Sequence, residues 1–190
     1  MSLPSGLQAA LMLARGRPAG LGLLVAEPDA AMQLATRSFW ALPVALPGFV
    51  ALHMIDWLLS GRVAGGRGFG HDFAADLLGF VIGWVGFCLL SHRIAARSGR
   101  AALWPRYIAA WNWCNVLQYM MLVAASLPAL LGLPDWIVQT SWLVATGWAL
   151  WLEYFAARLA LQLSRRFAVG MVALDFGLGV AIALVMAGAG

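Results

Sequence analysis

The sequence predicts an all-α, polytopic integral membrane protein with five transmembrane helices. Of its 190 residues, 63% are hydrophobic and 11% are charged, whereas soluble domains carry about 25% charged residues. A soluble chain could not bury so much apolar surface, because a compact domain hides only about 70% of its chain surface. Five apolar runs have the length of about 20 residues that crosses a bilayer. These runs span residues 39–60, 73–91, 107–131, 136–163 and 167–188.

The N-terminal residues 1–38 are predicted to be a cytoplasmic amphipathic segment, separate from a transmembrane domain of residues 39–190. Leu7 and Ala10 belong to a set of apolar residues that recur at helical spacing. A second short helix is predicted to start near Pro28, a residue type that suits the first helical turn. We expect both helices to lie on the cytoplasmic headgroup surface. A docking site for a soluble partner is the alternative.

The arginines orient the predicted bundle. All 12 basic residues are arginines, and two of them lie in the connection between the first two runs. The other ten lie in the N-terminal segment and beside the second and fourth connections, where the positive-inside rule predicts cytoplasm. The N-terminus is therefore expected inside and the C-terminus outside a bacterial inner membrane. The ten are Arg15, Arg17, Arg37, Arg93, Arg97, Arg100, Arg106, Arg158, Arg165 and Arg166.

Polar side chains within the last three runs form a candidate intramembrane site. Those of the third run fall within one arc of about 120°, at 100° per residue. The carboxyls of the fourth and fifth runs lie at a similar depth and are expected near the middle of the bilayer. The site is either proton- or cation-linked, or a set of interhelical hydrogen bonds worth about 0.6 kcal/mol each. Its residues are Asn112, Asn115, Gln118, Tyr119, Glu153 and Asp175.

A second cluster of titratable residues lies at the external end of the first two runs. It consists of His53, Asp56, His71 and Asp76. Imidazole and carboxylate groups together can bind zinc or a transition metal, although this spacing matches no metalloprotease motif. The alternative is pairing with the arginines of the first connection, or solvation. No cofactor is predicted.

Three glycines leave part of one face of the second run without side chains. Gly79, Gly83 and Gly86 recur at helical spacing, on the face that also carries Asp76. Small residues let two helix backbones approach closely in a membrane. This face is therefore predicted to pack against another helix.

Two short stretches carry a resemblance to a known family. Residues 14–21 read ARGRPAGL, and residues 37–43 read RSFWALP at the entrance to the first run. With five spans and a cytoplasmic N-terminus, they resemble bacterial membrane proteins that are distantly similar to the Yip (Ypt-interacting protein) family. The resemblance implies a non-enzymatic role in membrane organisation or bilayer shaping. It supplies no catalytic residues, and the N-terminal region is shorter than in eukaryotic members.

Three functions follow from these observations, and none of them involves nucleic acid. The first is a non-catalytic membrane-organising or accessory subunit, which binds the bilayer and either a membrane-protein partner or further copies of itself. The second is a small proton- or cation-linked transporter that uses the intramembrane carboxyls. The third is a metal-dependent membrane enzyme built on the histidine and aspartate cluster. No catalytic residue is predicted for the first function.

Overall fold

The computed structural model describes residues 3–24, 30–60 and 68–188, and within these ranges the chain forms helices and no strand. This confirms the all-α prediction. Two short 3-10 helices, Pro18–Leu24 and Ala101–Leu103, join longer elements. The α-helices are α1 Leu3–Ala14, α2 Ala31–Ser38, α3 Ala41–Leu59, α4 Phe69–Arg97, α5 Trp104–Leu130, α6 Asp135–Ala160 and α7 Arg165–Gly188.

Four stretches of the described chain are long and apolar enough to cross a membrane, as expected of a membrane protein. The fourth predicted run forms α6, which has 26 residues but is more polar, with Asp135, Glu153 and Arg158 in its sequence. It is not among the four stretches. These are Ala31–Leu59, Phe69–Arg97, Ala101–Leu130 and Arg165–Met186.

Helix α5 lies at the centre of the molecule. Residues 107–114 are buried without interruption, so this part of the helix is covered on every side. Helices α1, α2, α3 and α6 pack against α5, whereas α7 packs against α4 and α6. A helix that is covered all round belongs to the core of a bundle. The position of α5 therefore determines which other helices can meet.

The apolar face of α1 is covered by protein. Spacing predicts that this face meets lipid headgroups, but in the structure α1 packs against α5 and the 3-10 helix that follows it. Ala9, Ala10 and Leu13 are fully buried. The close approach depends on Gly6, because a Cβ added there would overlap the buried indole ring of Trp113.

Short connections make α4 to α7 antiparallel neighbours along the chain. We call the end where α4 and α6 terminate the proximal end, and the end where α3 and α7 terminate the distal end. Most of the ten arginines lie on the proximal side of the bundle. The connection between α4 and α5 lies at the proximal end. Arg100 in this connection contributes to the cap of α6.

Arginines close the proximal end by capping α6. Arg100 Nη1 donates hydrogen bonds to the carbonyl oxygens of Leu161, at 2.6 Å, and of Gln162. Arg106 Nη2 donates to the carbonyl oxygen of Ala160 at 2.8 Å. The last carbonyls of a helix have no partner within it and carry the negative end of its dipole. These guanidinium groups therefore have a structural role besides their effect on topology.

The contact between Gly6 and Trp113 yields a test of how α1 packs. The Gly6→Leu variant should lower the free energy of unfolding by about 1–3 kcal/mol, the usual cost of overfilling a packed site. Thermal unfolding in detergent measures the loss. The matched control is Gly22→Leu, because nothing lies within 4 Å of a Cβ at Gly22. Equal stability of the two variants would contradict this packing of α1.

Candidate functional site

The side chain of Asn112 forms the first of two polar networks around α5, and it is fully buried. The Trp84 indole Nε1 donates to Asn112 Oδ1 at 2.8 Å. Asn112 Nδ2 donates to Ser38 Oγ at 2.7 Å, and Ser38 Oγ donates to the carbonyl oxygen of Ala35 at 2.6 Å. One amide therefore joins α2 and α4 to α5. Each of these groups has a partner, as buried polar groups require.

The second network joins α5, α6 and α7 through two carboxyl groups. The Trp111 indole Nε1 donates to Asp175 Oδ2 at 2.9 Å. Gln118 Nε2 lies 3.4 Å from Glu153 Oε1 and 3.2 Å from the carbonyl oxygen of Ala149. Glu153 and Asp175 both line one groove between α6 and α7. We call these two residues the carboxyl pair.

Two carboxyl groups in one apolar groove repel each other when both are charged. A proton on one of them removes that repulsion and makes that carboxyl a hydrogen-bond donor. In the described part of the chain, neither carboxyl forms a salt bridge with an arginine. Arg158, five residues after Glu153, is exposed. The pair is thus stabilised by the neutral donors of Trp111 and Gln118.

The remaining two residues of the predicted stripe are placed apart from these networks. Asn115 Nδ2 donates to the carbonyl oxygen of Trp111 in its own helix, at 3.0 Å. The ring of Tyr119 packs edge-on against Phe80, with centroids 5.6 Å apart. Both side chains line a cavity beside Asp175. The stripe therefore divides between a closed structural network, the carboxyl pair and a cavity wall.

Sequence reasoning missed the two indole donors. For tryptophans far from the ends of a span, such as Trp84 and Trp111, the sequence predicts only packing between helices. The available signal is the spacing of Trp111, Asn115 and Gln118, which places an indole N–H on the polar stripe of α5. Trp84 offers no comparable signal in the sequence.

Two grooves flank α7, and Asp175 lines both. The α4–α7 groove has a volume of about 550 Å³ and extends from Asp175 to Asp76 near the distal end. The α6–α7 groove has a volume of about 400 Å³ and is lined by Glu153 and Asp175. Each carboxyl of the pair therefore lines a groove, and Asp175 lies between the two grooves.

The glycine face of α4 determines how closely α7 approaches. A Cβ at Gly79 would lie 3.1 Å from Ile182 Cγ2, and one at Gly83 would lie 3.5 Å from Ile182 Cδ1. At Gly86 the nearest atom, on Leu178, would be 3.4 Å away. Larger side chains would push α7 outwards. The glycines thus allow Asp175 to stay within reach of Trp111.

The distal histidines do not assemble into one cluster. His53 Nδ1 and Asp76 Oδ2 are 2.7 Å apart, and the buried imidazole has no hydrogen-bond partner for Nε2 among the described residues. His71 is exposed and lies 3.7 Å from Asp72 instead. Asp56 lines the α4–α7 groove.

The geometry of this region gives little support to the predicted metal site. Among residues 3–24, 30–60 and 68–188, no three His, Cys, Asp or Glu side chains are grouped so that they could hold a metal ion. The alternative prediction, pairing with Arg62 or Arg67, concerns residues outside the described ranges, as does the helix start near Pro28.

Comparisons of this chain with protein family models, curated proteins and solved structures find no match. The resemblance of residues 14–21 and 37–43 to the Yip family therefore stays a prediction.

The Asn112 network yields a stability prediction. Asn112→Ala should lower the free energy of unfolding by about 1–3 kcal/mol, because it leaves the buried Trp84 N–H without an acceptor. Asn115→Ala removes the same side chain from a site where the amide bonds only its own helix, and should cost less than about 0.5 kcal/mol. Unfolding in mixed detergent micelles measures both values. A similar loss in both variants would argue against a special role for Asn112.

Proposed function

We propose that this protein is a small proton- or cation-linked transporter of the bacterial inner membrane, with the carboxyl pair as its coupling site. One observation carries the proposal: Glu153 and Asp175 lie together in one groove, and Asp175 also lines the groove on the other side of α7. Ionisable groups at membrane depth are costly, and they mark ion pathways and proton relays more often than packing sites.

In the part of the chain that the structure describes, no arginine pairs with either carboxyl, which supports a working site over a purely structural one. A structural carboxyl in an apolar bundle is stabilised best by a permanent partner, since an isolated buried charge is expensive. The pair is held by an indole and an amide, which can hydrogen-bond a carboxyl whether or not it carries a proton. Its charge can therefore change by one while its hydrogen-bond donors stay in place.

The topology that goes with this function has five spans, a cytoplasmic N-terminus and an external C-terminus. Its support is the ten arginines that fall on one side of the predicted bundle. It requires α6 to cross the membrane as the fourth span. The length of α6, 26 residues, is sufficient for a crossing.

A second candidate is the non-catalytic accessory subunit that binds a membrane partner or another copy. Its support is the outer face of α7, where Phe176, Val180 and Leu184 are exposed. Nothing in the described chain lies within 4 Å of a Cβ built at Gly177. Such a face suits either lipid or another helix. Purification with a stoichiometric partner protein would favour this candidate. We do not propose the metal-dependent enzyme.

Cysteine labelling distinguishes five spans from four. We expect Leu133→Cys to react with a membrane-impermeant maleimide in intact cells, and Ser98→Cys and Ser164→Cys to react only after lysis. The native Cys88 and Cys114 are buried and give a low background. If α6 does not cross, residues 133 and 164 lie on the same side and label alike, which would contradict the five-span topology.

Transport is tested in proteoliposomes that contain a pH-sensitive dye. Chloride salts of sodium, potassium, lithium or a quaternary ammonium ion are added in turn. At least one of these cations should drive proton movement through the native protein. Glu153→Gln and Asp175→Asn should abolish this flux, because neither variant can exchange a proton at the changed position. Asp135→Asn is the matched control, since Asp135 is exposed in the first turn of α6. Flux that persists in both carboxyl variants would refute the coupling site.

A further inference from the structure

We propose that the α4–α7 groove binds an organic ammonium ion that carries an apolar group, with Asp175 as its counter-charge. This inference rests on the proposed function and names the class of ligand for that site. Four features support it: the charge of the groove, its aromatic wall, its dimensions and the protons available at the carboxyl pair.

The ionisable side chain at the deep end of the groove favours a cation. Asp175 lies there and accepts a hydrogen bond from the neutral indole of Trp111. No arginine or histidine is among the described residues that line the groove. A negative charge between apolar walls attracts ions of the opposite sign. An anionic ligand would meet repulsion from the Asp175 carboxylate.

Part of the groove wall consists of aromatic rings that contact one another in sequence. Ring centroids are 4.7 Å apart for Phe49 and Phe80, 5.4 Å for Phe80 and Trp84, and 5.4 Å for Trp84 and Trp111. Tyr119 packs against Phe80 from the α5 side. The face of an aromatic ring attracts a cation, most strongly where both are shielded from water.

The same wall disfavours a small inorganic cation as the main ligand of the groove. Hard divalent ions such as calcium are bound by a cage of six or more oxygen ligands, or retain their water. Ring faces cannot replace those ligands. An alkylated ammonium ion has weakly hydrated methyl or methylene groups, so it gains from both the rings and the carboxylate.

The dimensions fit an amphipathic ligand of moderate size. A volume of about 550 Å³ lies within the range of small-molecule sites, about 300–1,000 Å³. On α4 the lining residues run from Asp72 to Trp84, twelve residues that rise about 18 Å. An ammonium group beside Asp175 would therefore lie next to Trp84 and Trp111. Its apolar group would extend along Phe80 and Phe49 towards the distal end.

Binding of this ligand is balanced by the loss of a proton. When both carboxyls of the pair are protonated, the pair is neutral. An ammonium ion that binds at Asp175 displaces the proton of that carboxyl, and the hydrogen bond from Trp111 Nε1 then stabilises the carboxylate. One positive charge enters and one proton leaves, while the remaining proton stays in the pair. The exchange leaves the total charge of the site unchanged.

Calorimetry on the full chain in nanodiscs tests this inference. The nanodiscs contain phosphatidylglycerol, a lipid without an ammonium group, and the probe is benzyltrimethylammonium. Neopentylbenzene is the neutral control of the same shape, with carbon in place of nitrogen. We expect the cation to bind about tenfold more tightly or better, as a shielded cation–ring contact predicts. Equal binding of the two probes would overturn the inference.

Two glycine variants show whether the groove itself is the site. Gly83→Leu places a side chain inside the groove and should abolish binding of benzyltrimethylammonium. Gly177→Leu adds the same side chain at a position on α7 with open space around it and should leave binding intact. If Gly83→Leu fails to fold, Asp175→Asn serves instead, and it should weaken binding without loss of the neutral probe. Retained binding in a folded Gly83→Leu or Asp175→Asn variant would overturn the inference.

The ammonium group could come from a soluble amine or from an aminophospholipid, and a second lipid composition separates these sources. If nanodiscs with phosphatidylethanolamine block the probe, the lipid headgroup occupies the groove. If the probe still binds, the natural ligand is a soluble amine, and both results support the ammonium site. Absence of binding, together with proton exchange driven by an inorganic cation, would overturn this inference and leave the proposed transporter standing.

Discussion

The buried polar side chains of α5 must find hydrogen-bond partners inside the protein, because other helices cover this part of the helix on every side. An unpaired buried polar group costs about 1–3 kcal/mol, whereas a hydrogen bond gains only about 0.5–1.5 kcal/mol. Asn112 meets this requirement through Trp84 and Ser38, which brings α4 and α2 to its two sides. Trp111 and Gln118 meet it through Asp175 and Glu153, which brings in α7 and α6. The arrangement of the bundle follows from these pairings.

Small residues make those pairings geometrically possible. The three glycines of α4 let α7 approach, and Ala156, Ala157 and Ala160 of α6 are fully buried against their neighbours. The close packing is concentrated towards the proximal end, where Tyr107 and Met171 are also buried. Towards the distal end, α6 and α7 expose most of their side chains and leave grooves between the helices. The carboxyl pair thus lies between a tightly packed half and an open half.

The two polar networks differ in a way that matters for function. The Asn112 network consists of neutral groups whose donors and acceptors are matched, so it can stabilise the bundle without any change of state. The carboxyl pair can gain or lose a proton, and it lies next to cavities on both sides of α7. Burial alone does not distinguish these networks. Ionisable chemistry and access to a cavity together make the pair, and not the amide, the candidate functional site.

Composition and periodicity alone determined the all-helical class, the apolar helices and the polar stripe of α5, because these depend on residues close together in the chain. They also placed Gly79, Gly83 and Gly86 on one face. Tertiary structure alone decided the partners, since the bonds that form the site join residues up to 64 positions apart.

Tertiary packing also decided how single positions are used. It separated Asn112 from the carboxyl pair, although both belong to one predicted site, because α2 and α4 supply the partners of Asn112 whereas the pair lies on α6 and α7. It paired His53 with Asp76 and left His71 with Asp72. It gave the indole N–H groups of Trp84 and Trp111 acceptors, so these residues donate hydrogen bonds as well as pack. A single sequence carries no signal for such choices, because helix periodicity specifies the face of a residue but not the helix that covers it.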